Sequence, residues 1–277
     1  MNHPESISIP TASDQALLLQ TVAAVQAAGH AVKSLFDPAA RPQGMQEIAA
    51  TIAANDVVSM TILREALSRA RPTARWDEDE EGRGALPPGE WWVCDPVEGA
   101  INHIHGLPDW GVTATLVRDN APVLCAVHLP LSGATYTALS GGGAWLNGTR
   151  LNASSKSDLR TAMVGTGQAA PDEGTAAYLH IGRSVAAMLE AALVVQVSVP
   201  STLQLIRVAA GHQDLFWQAS QVRSGLLAGA LLVAEAGGRV SDLHGAPWNT
   251  DSGGFLAGAP ALTAPALAVL ASLEAAA

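Results

Sequence analysis

The chain has 277 residues, 48% hydrophobic and only 14% charged, which supplies a large core and excludes a disordered chain. Its net charge is −10 and no basic stripe interrupts it, so nucleic acid is not an expected partner. No apolar run reaches the ~20 residues of a membrane span, and the polar start MNHPESISIPTASDQ has no signal-peptide pattern, so a cytoplasmic protein without a membrane partner is expected.

Thr11-Ala12-Ser13-Asp14 reads as an N-cap before the amphipathic helix QALLLQTVAAVQAAGHAVKSLF. FDPAARPQG breaks it, and a second helix is expected from about Met45 to Arg69. RPTARWDEDEEGRGALPPGE reads as an acidic surface loop flanking a short strand at Ala74–Trp76. From Glu90 the runs EWWVCD, WGVTATLV, PVLCAVHLP and ATYTALSGG are β-type, and GGGAWLNGTRL adds an Asn-Gly hairpin signal. After Ser157, strands TAMVGTG, LVVQVSV, DLFWQ, GRVSD and GFLAGAP alternate with helices DEGTAAYLHIGRSVAAMLEAA, STLQLIRVAAG, SGLLAGALLVAEAGG and TAPALAVLASLEAA. The first half, 1–157, thus predicts helices plus a mainly antiparallel sheet, and 158–277 an α/β layer. No long linker parts them, so residues 1–277 read as a single domain. Cys94 and Cys125 lie in apolar runs and read as buried thiols in a reducing compartment.

The stretch CDPVEGAINHIHG, Cys94–Gly106, carries the chemistry. A strand delivers Asp95 to its carboxyl end, Pro96 bends the chain, and Gly99 permits a tight turn into a helix. Asp95 and Glu98 then face one point, where a hard cation such as Mg²⁺ takes carboxylates and a carbonyl such as that of Val97. The N–H groups of Glu98, Gly99 and Ala100 open the helix and suit a phosphate. A turn with solvated acids is an equally good reading of the spacing alone, and the run Glu78–Glu81 is by pattern a solvated loop.

DPVEGAINH and HGLPDWGVTATLV, followed by LPLSGATYTALSGGGAWLNGTRLNAS, PSTLQLIRVAAGHQDLFWQ and AGALLVAEAGGRVSDLHGAPW, resemble in order the signature segments of the inositol monophosphatase family, Mg²⁺-dependent, lithium-sensitive phosphatases. The resemblance spans nearly the whole chain. It implies a layered α/β/α/β/α sandwich of the inositol monophosphatase and fructose-1,6-bisphosphatase type, a small polyol or sugar phosphate as substrate, and a homodimer.

The resemblance also implies roles residue by residue. Glu78, or Glu80 or Glu81 with a short gap, stands for the family's first metal carboxylate, with Asp95, the Val97 carbonyl and Glu98 completing at most one Mg²⁺ site. Gly99, Ala100, Ser201 and Gln218 fall at phosphate- or substrate-binding positions. Several positions depart from the pattern. The signature's second Asp is Glu98, and the hydroxyl residue that orients the attacking water is Ala100. The Trp-Asp pair that serves a second metal is Ser224-Gly225, the Thr and Asp of the second helix are Ala50 and Ala53, and the Glu near the substrate hydroxyls is Gln218. His103 replaces a Phe and is a candidate general acid or base, set against the commoner role of a lone His in packing. The expectation is a family member whose metal-dependent phosphomonoester hydrolysis is impaired or replaced. The alternatives are a repurposed metal-independent enzyme using Asp95, Glu98 and His103, and a non-catalytic ligand- or partner-binding protein.

Overall fold

The computed structural model describes residues 12–79, 82–169, 173–219 and 222–273; Thr11, Glu80 and Glu81 lie outside them. Helix α1 (Ala12–Lys33) buries Leu17, Thr21, Ala24, Val25, Ala28 and Val32, an i, i+4, i+7 stripe that needs a partner sheet. Helix α2 (Met45–Ala70) buries only Asn55, Ser59, Leu63 and Leu67, one residue per turn. Then come β1 (Arg75–Trp76), β2 (Glu90–Glu98), the short α3 (Ala100–Ile104), β3 (Gly111–Arg118), β4 (Ala121–Leu129), β5 (Ala134–Leu139), β6 (Gly143–Leu146) and β7 (Thr149–Arg150).

These strands form one sheet in sequence order, antiparallel throughout except for the parallel β1–β2 pair. Asn147-Gly148 turns β6 into β7 with both residues at positive φ, as the hairpin signal predicts; Asp119-Asn120 makes the same kind of turn between β3 and β4.

The second half supplies β8 (Met163–Thr166), α4 (Thr175–Ala191), β9 (Val194–Val197), α5 (Ser201–Ala209), β10 (Leu215–Gln218), α6 (Ser224–Glu235), β11 (Arg239–Ser241), β12 (Phe255–Gly258) and α7 (Pro260–Ala271). Its sheet runs β11-β12-β10-β8-β9. The β9–β8–β10 strands are parallel, since α4 and α5 provide the crossovers, and β12 pairs antiparallel with both β10 and β11. Helix α7 starts three residues before the expected Thr263, because Pro260 suits a first helical turn.

Three apolar clusters define the layers. Leu17, Val25, Leu63 and Leu67 of α1 and α2 pack with Trp92, Val112, Leu116 and Leu124 of the first sheet. Helices α5 and α6 lie between the sheets, where Leu205, Leu226 and Leu232 meet Cys125 and Val127 on one side and Phe216 and Phe255 on the other. Met188 of α4 and Leu262 and Leu270 of α7 cover the far face of the second sheet. The result is the expected α/β/α/β/α sandwich. Helix α6 is apolar all round, as a helix buried between two sheets must be.

Candidate active site

Asp95 and Glu98 are three residues apart, so in a regular strand they would point to opposite faces. A bulge prevents this. Asp95 pairs with Thr113 and Glu98 with Gly111, three steps on β2 against two on β3. The extra residue, in a stretch where Pro96 has no N–H for the ladder, restores both acids to one face. Both are buried, at 7% and 3% exposure. Asp95 Oδ1 accepts the Val97 N–H at 3.0 Å, and the Asp95 N–H donates to Thr113 Oγ1 at 3.2 Å. Glu98 Oε2 accepts the Thr202 hydroxyl at 2.7 Å, and the same hydroxyl lies 3.1 Å from the Gly225 carbonyl. Gly99 then reverses the chain at φ +84; a Cβ there would lie 2.7 Å from the Asp109 carbonyl, so no other residue fits.

The first turn of α5 joins this corner to the second sheet. While Thr202 holds Glu98, its neighbour Ser201 donates to Gln218 Oε1 at the carboxyl end of β10. Gln218 lines a cavity of about 290 Å³ with Arg83, Gln168, Glu173 and His180. This crevice lies beyond the carboxyl ends of the parallel strands β8 and β10, where open α/β sheets bind ligands. Arg83 reaches across it to Glu173 at 2.8 Å. Gly167 has no Cβ there, and one would lie 2.8 Å from Gln218 Oε1.

The remaining expected residues have partners of their own. Glu78 is 68% exposed and ion-paired with Arg64, which holds its carboxyl below the usual range. The Val97 side chain is buried beside Val32 and Trp110, while its backbone stays between Asp95 and Glu98. His103 is also buried, with both ring nitrogens engaged: Nδ1 lies 3.1 Å from Asn55 Nδ2 and Nε2 lies 3.3 Å from the Val32 carbonyl. Burial lowers its pKa, and Trp110 and Phe36 pack edge-on against it. The ring therefore offers no nitrogen for proton transfer at Asp95 or Glu98 and serves to pin α3 to α1 and α2. Ala50 and Ala53 are exposed, and the α2 residue that reaches α3 is Asn55. Next to it Asp56, half-buried, has its pKa pushed up to about 6 by burial. Cys94 and Cys125 are buried free thiols, the latter raised to about 12 by burial, and neither is a nucleophile at neutral pH.

Two residues that hold the site together were missed from sequence. Thr202 lies 104 residues from Glu98. Arg223 precedes α6 with its side chain 7% exposed, and grips both oxygens of Asp77 at 3.0 Å. Arg223 is the sole Lys or Arg between Arg207 and Arg239, next to a wholly apolar helix; that isolation was a signal.

Among the described residues, which leave out Glu80 and Glu81, the donor set does not fit a Mg²⁺ shell. Among the described residues no three His, Cys, Asp or Glu side chains are grouped to hold an ion. Glu78 turns to Arg64, Asp77 is taken by Arg223, and at Gly225, where a second-metal carboxylate is expected, a Cβ would meet nothing within 4 Å.

Two mixed sheets with interleaved helices, and a buried acid pair on a bulged Asp-Pro strand, define the sandwich fold of the sugar-phosphatase class. The sequence profile of the inositol monophosphatase family matches residues 14–274, and the chain belongs to that family. It is 35% identical to an inositol-1-monophosphatase of Rhizobium meliloti over 71% of this chain and 74% of that protein. It is 34% identical to the Nus factor SuhB of Pseudomonas aeruginosa over 70% and 72% of the respective chains. The fold of an inositol monophosphatase from Anabaena superimposes with a TM-score of 0.81 at 23% identity, covering 93% and 96% of the two chains.

Proposed function

We propose that the chain binds a small phosphorylated polyol or sugar, with metal-dependent hydrolysis of the phosphomonoester impaired or replaced. The observation that carries this reading is the open position at Gly225 beside a Glu98 already clasped by Thr202. The crevice beside Gln218 supports binding, and among the described residues the acids that would hold an ion are not grouped. The Gly99 and Ala100 amides would meet the phosphate, and Ser201 and Gln218 the hydroxyls. Gln218 presents a neutral amide, which orients a hydroxyl but removes no proton. Ala100 has no hydroxyl to position water. Asp95 and Glu98 remain to hold the turn and to polarise whatever replaces the ion.

The test is a panel of sugar and polyol phosphates with millimolar Mg²⁺, assayed for both binding and turnover. Binding that Gln218→Ala weakens, with turnover at least ~10²–10³-fold below an ordinary phosphatase, is expected, since each missing catalytic element is worth about that much. Turnover at the ordinary level would overturn it.

A partner-binding role is the second reading, favoured by relatives named Nus factors. The proposed homodimer is supported by the edge strand β9, whose Val194 and Val197 stand exposed beside Leu189 and Leu193. Sedimentation would check it. Two free buried thiols support the expected cytoplasmic location, and no described helix is long and apolar enough to cross a membrane.

A further inference from the structure

We infer that Arg223 is a resident cation, a guanidinium fixed on Asp77 in the stretch where the family resemblance calls for a metal carboxylate, so that the Asp77 corner and residues 82–84 close without a divalent ion. The inference rests on the family reading of the site and on five observations. Asp77 follows β1 directly, and its N–H donates to the Trp92 carbonyl, three residues before Asp95 on β2. It thus stands beside Glu78 in the stretch where the resemblance places a metal carboxylate. Arg223 binds it through Nε and Nη2, the two-point geometry that suits a guanidinium to a carboxylate. Nη1 donates to the carbonyls of Arg83 and Gly84, and the Arg223 N–H donates to the Gly82 carbonyl, so the segment 82–84 is folded around this one side chain. Gly82 makes the room, since a Cβ there would collide with Nη2. Both charges are more than nine-tenths buried, a state that is tolerated only when each is paired and further hydrogen-bonded, as here.

Two residues beyond Arg223, Gly225 offers an ion no ligand. The start of α6, where the resemblance implies a carboxylate at Gly225, also carries the fixed positive charge of Arg223. Arg keeps that charge at every accessible pH, whereas an ion's occupancy follows its concentration. Because Arg223 also anchors the backbone of Arg83, it sets the wall of the cavity that Gln218 lines.

The experiment reads melting temperature and amide exchange of the full chain. With millimolar Mg²⁺, Mn²⁺ or EDTA, the wild-type melting temperature should move by less than ~1 °C, where a bound ion would add several degrees. Arg223→Gln should lower amide protection across 82–84 by ~10²-fold or more, the order expected when one partner of a buried pair is removed. Added guanidinium ion or Mn²⁺ should recover part of it. The double variant Asp77→Asn with Arg223→Gln should regain protection with neither additive. If the single variant does not fold, folding of the double variant makes the same point. Stabilisation of the wild type by Mn²⁺ that Asp77→Asn removes would overturn the inference. So would a double variant as unprotected as the single one. Neither readout involves a sugar phosphate, so a failure to bind one would sink the proposed function alone.

Discussion

Two corners of this molecule began from the same requirement, to hold carboxylates in a buried place, and met it differently. At the end of β2, Asp95 and Glu98 are satisfied by a backbone amide and a hydroxyl, neutral donors from Val97 and Thr202. At the end of β1, Asp77 is satisfied by the full charge of Arg223. Val97 and Thr202 bring no charge of their own to the β2 corner. The guanidinium cancels the charge of the β1 corner on the spot. The difference separates two things, the turn and the charge around it. The turn is fixed by local backbone geometry, and the field by a few side chains from distant segments.

The comparison breaks first at the turn itself. Gly99→Ala should destabilise the protein by about 2–4 kcal/mol, because positive φ and the Asp109 carbonyl both oppose a Cβ. Gly133→Ala, also at positive φ but with open space around it, should cost only about 1–2 kcal/mol. Equal losses in urea denaturation would mean that the close approach at Gly99 is not what shapes the turn.

Next is the neutral donor. Thr202→Val should cost about 1.5–3 kcal/mol by leaving the buried Glu98 short of a hydrogen bond, with Thr202→Ser recovering most of it. A loss under half a kilocalorie would show that the hydroxyl is not Glu98's main support.

A smaller effect concerns pH. Asp56 has a folded-state pKa of about 6, above its unfolded value, with burial as the cause. Its protonated form is therefore favoured by folding. That contribution is fully present below the unfolded pKa near 4 and is lost as pH rises through 6. Asp56→Asn should flatten the fall in melting temperature between pH 4 and 6 and raise stability at pH 7; an unchanged slope would assign it to another group.

The smallest effect is expected at Glu78. Its ion pair with Arg64 is largely exposed, so Glu78→Gln should change stability by under about 1 kcal/mol. It should also leave any response to Mg²⁺ unaltered. A Mg²⁺ response abolished by this substitution would return Glu78 to the role that its place in the sequence suggests.

Much of this was legible in the chain. Apolar periodicity and Pro-Gly breaks located α1 and α2, the Asn147-Gly148 pair marked a hairpin, and the alternation after Ser157 located the crossovers. The acid pair was legible too, because Asp95, Pro96, Glu98 and Gly99 are neighbours and their turn is a local event. His103 was legible as a departure from pattern but not as a packing residue, because its partners Asn55 and Val32 come from helices far up the chain. Glu78 attracted attention by position in the sequence, yet burial chose Asp77 instead, one residue away on the side that faces α6.

Local sequence specified the elements and the turn that presents Asp95 and Glu98, since each depends on residues within a few positions of one another, and the layered class followed from the resemblance. Only the tertiary structure decided what those acids meet. Thr202 reaches Glu98 and Arg223 reaches Asp77 across 104 and 146 residues of chain. Such pairs form because two sheets close on the same buried helices, and a buried charge must find its partner wherever that packing places one.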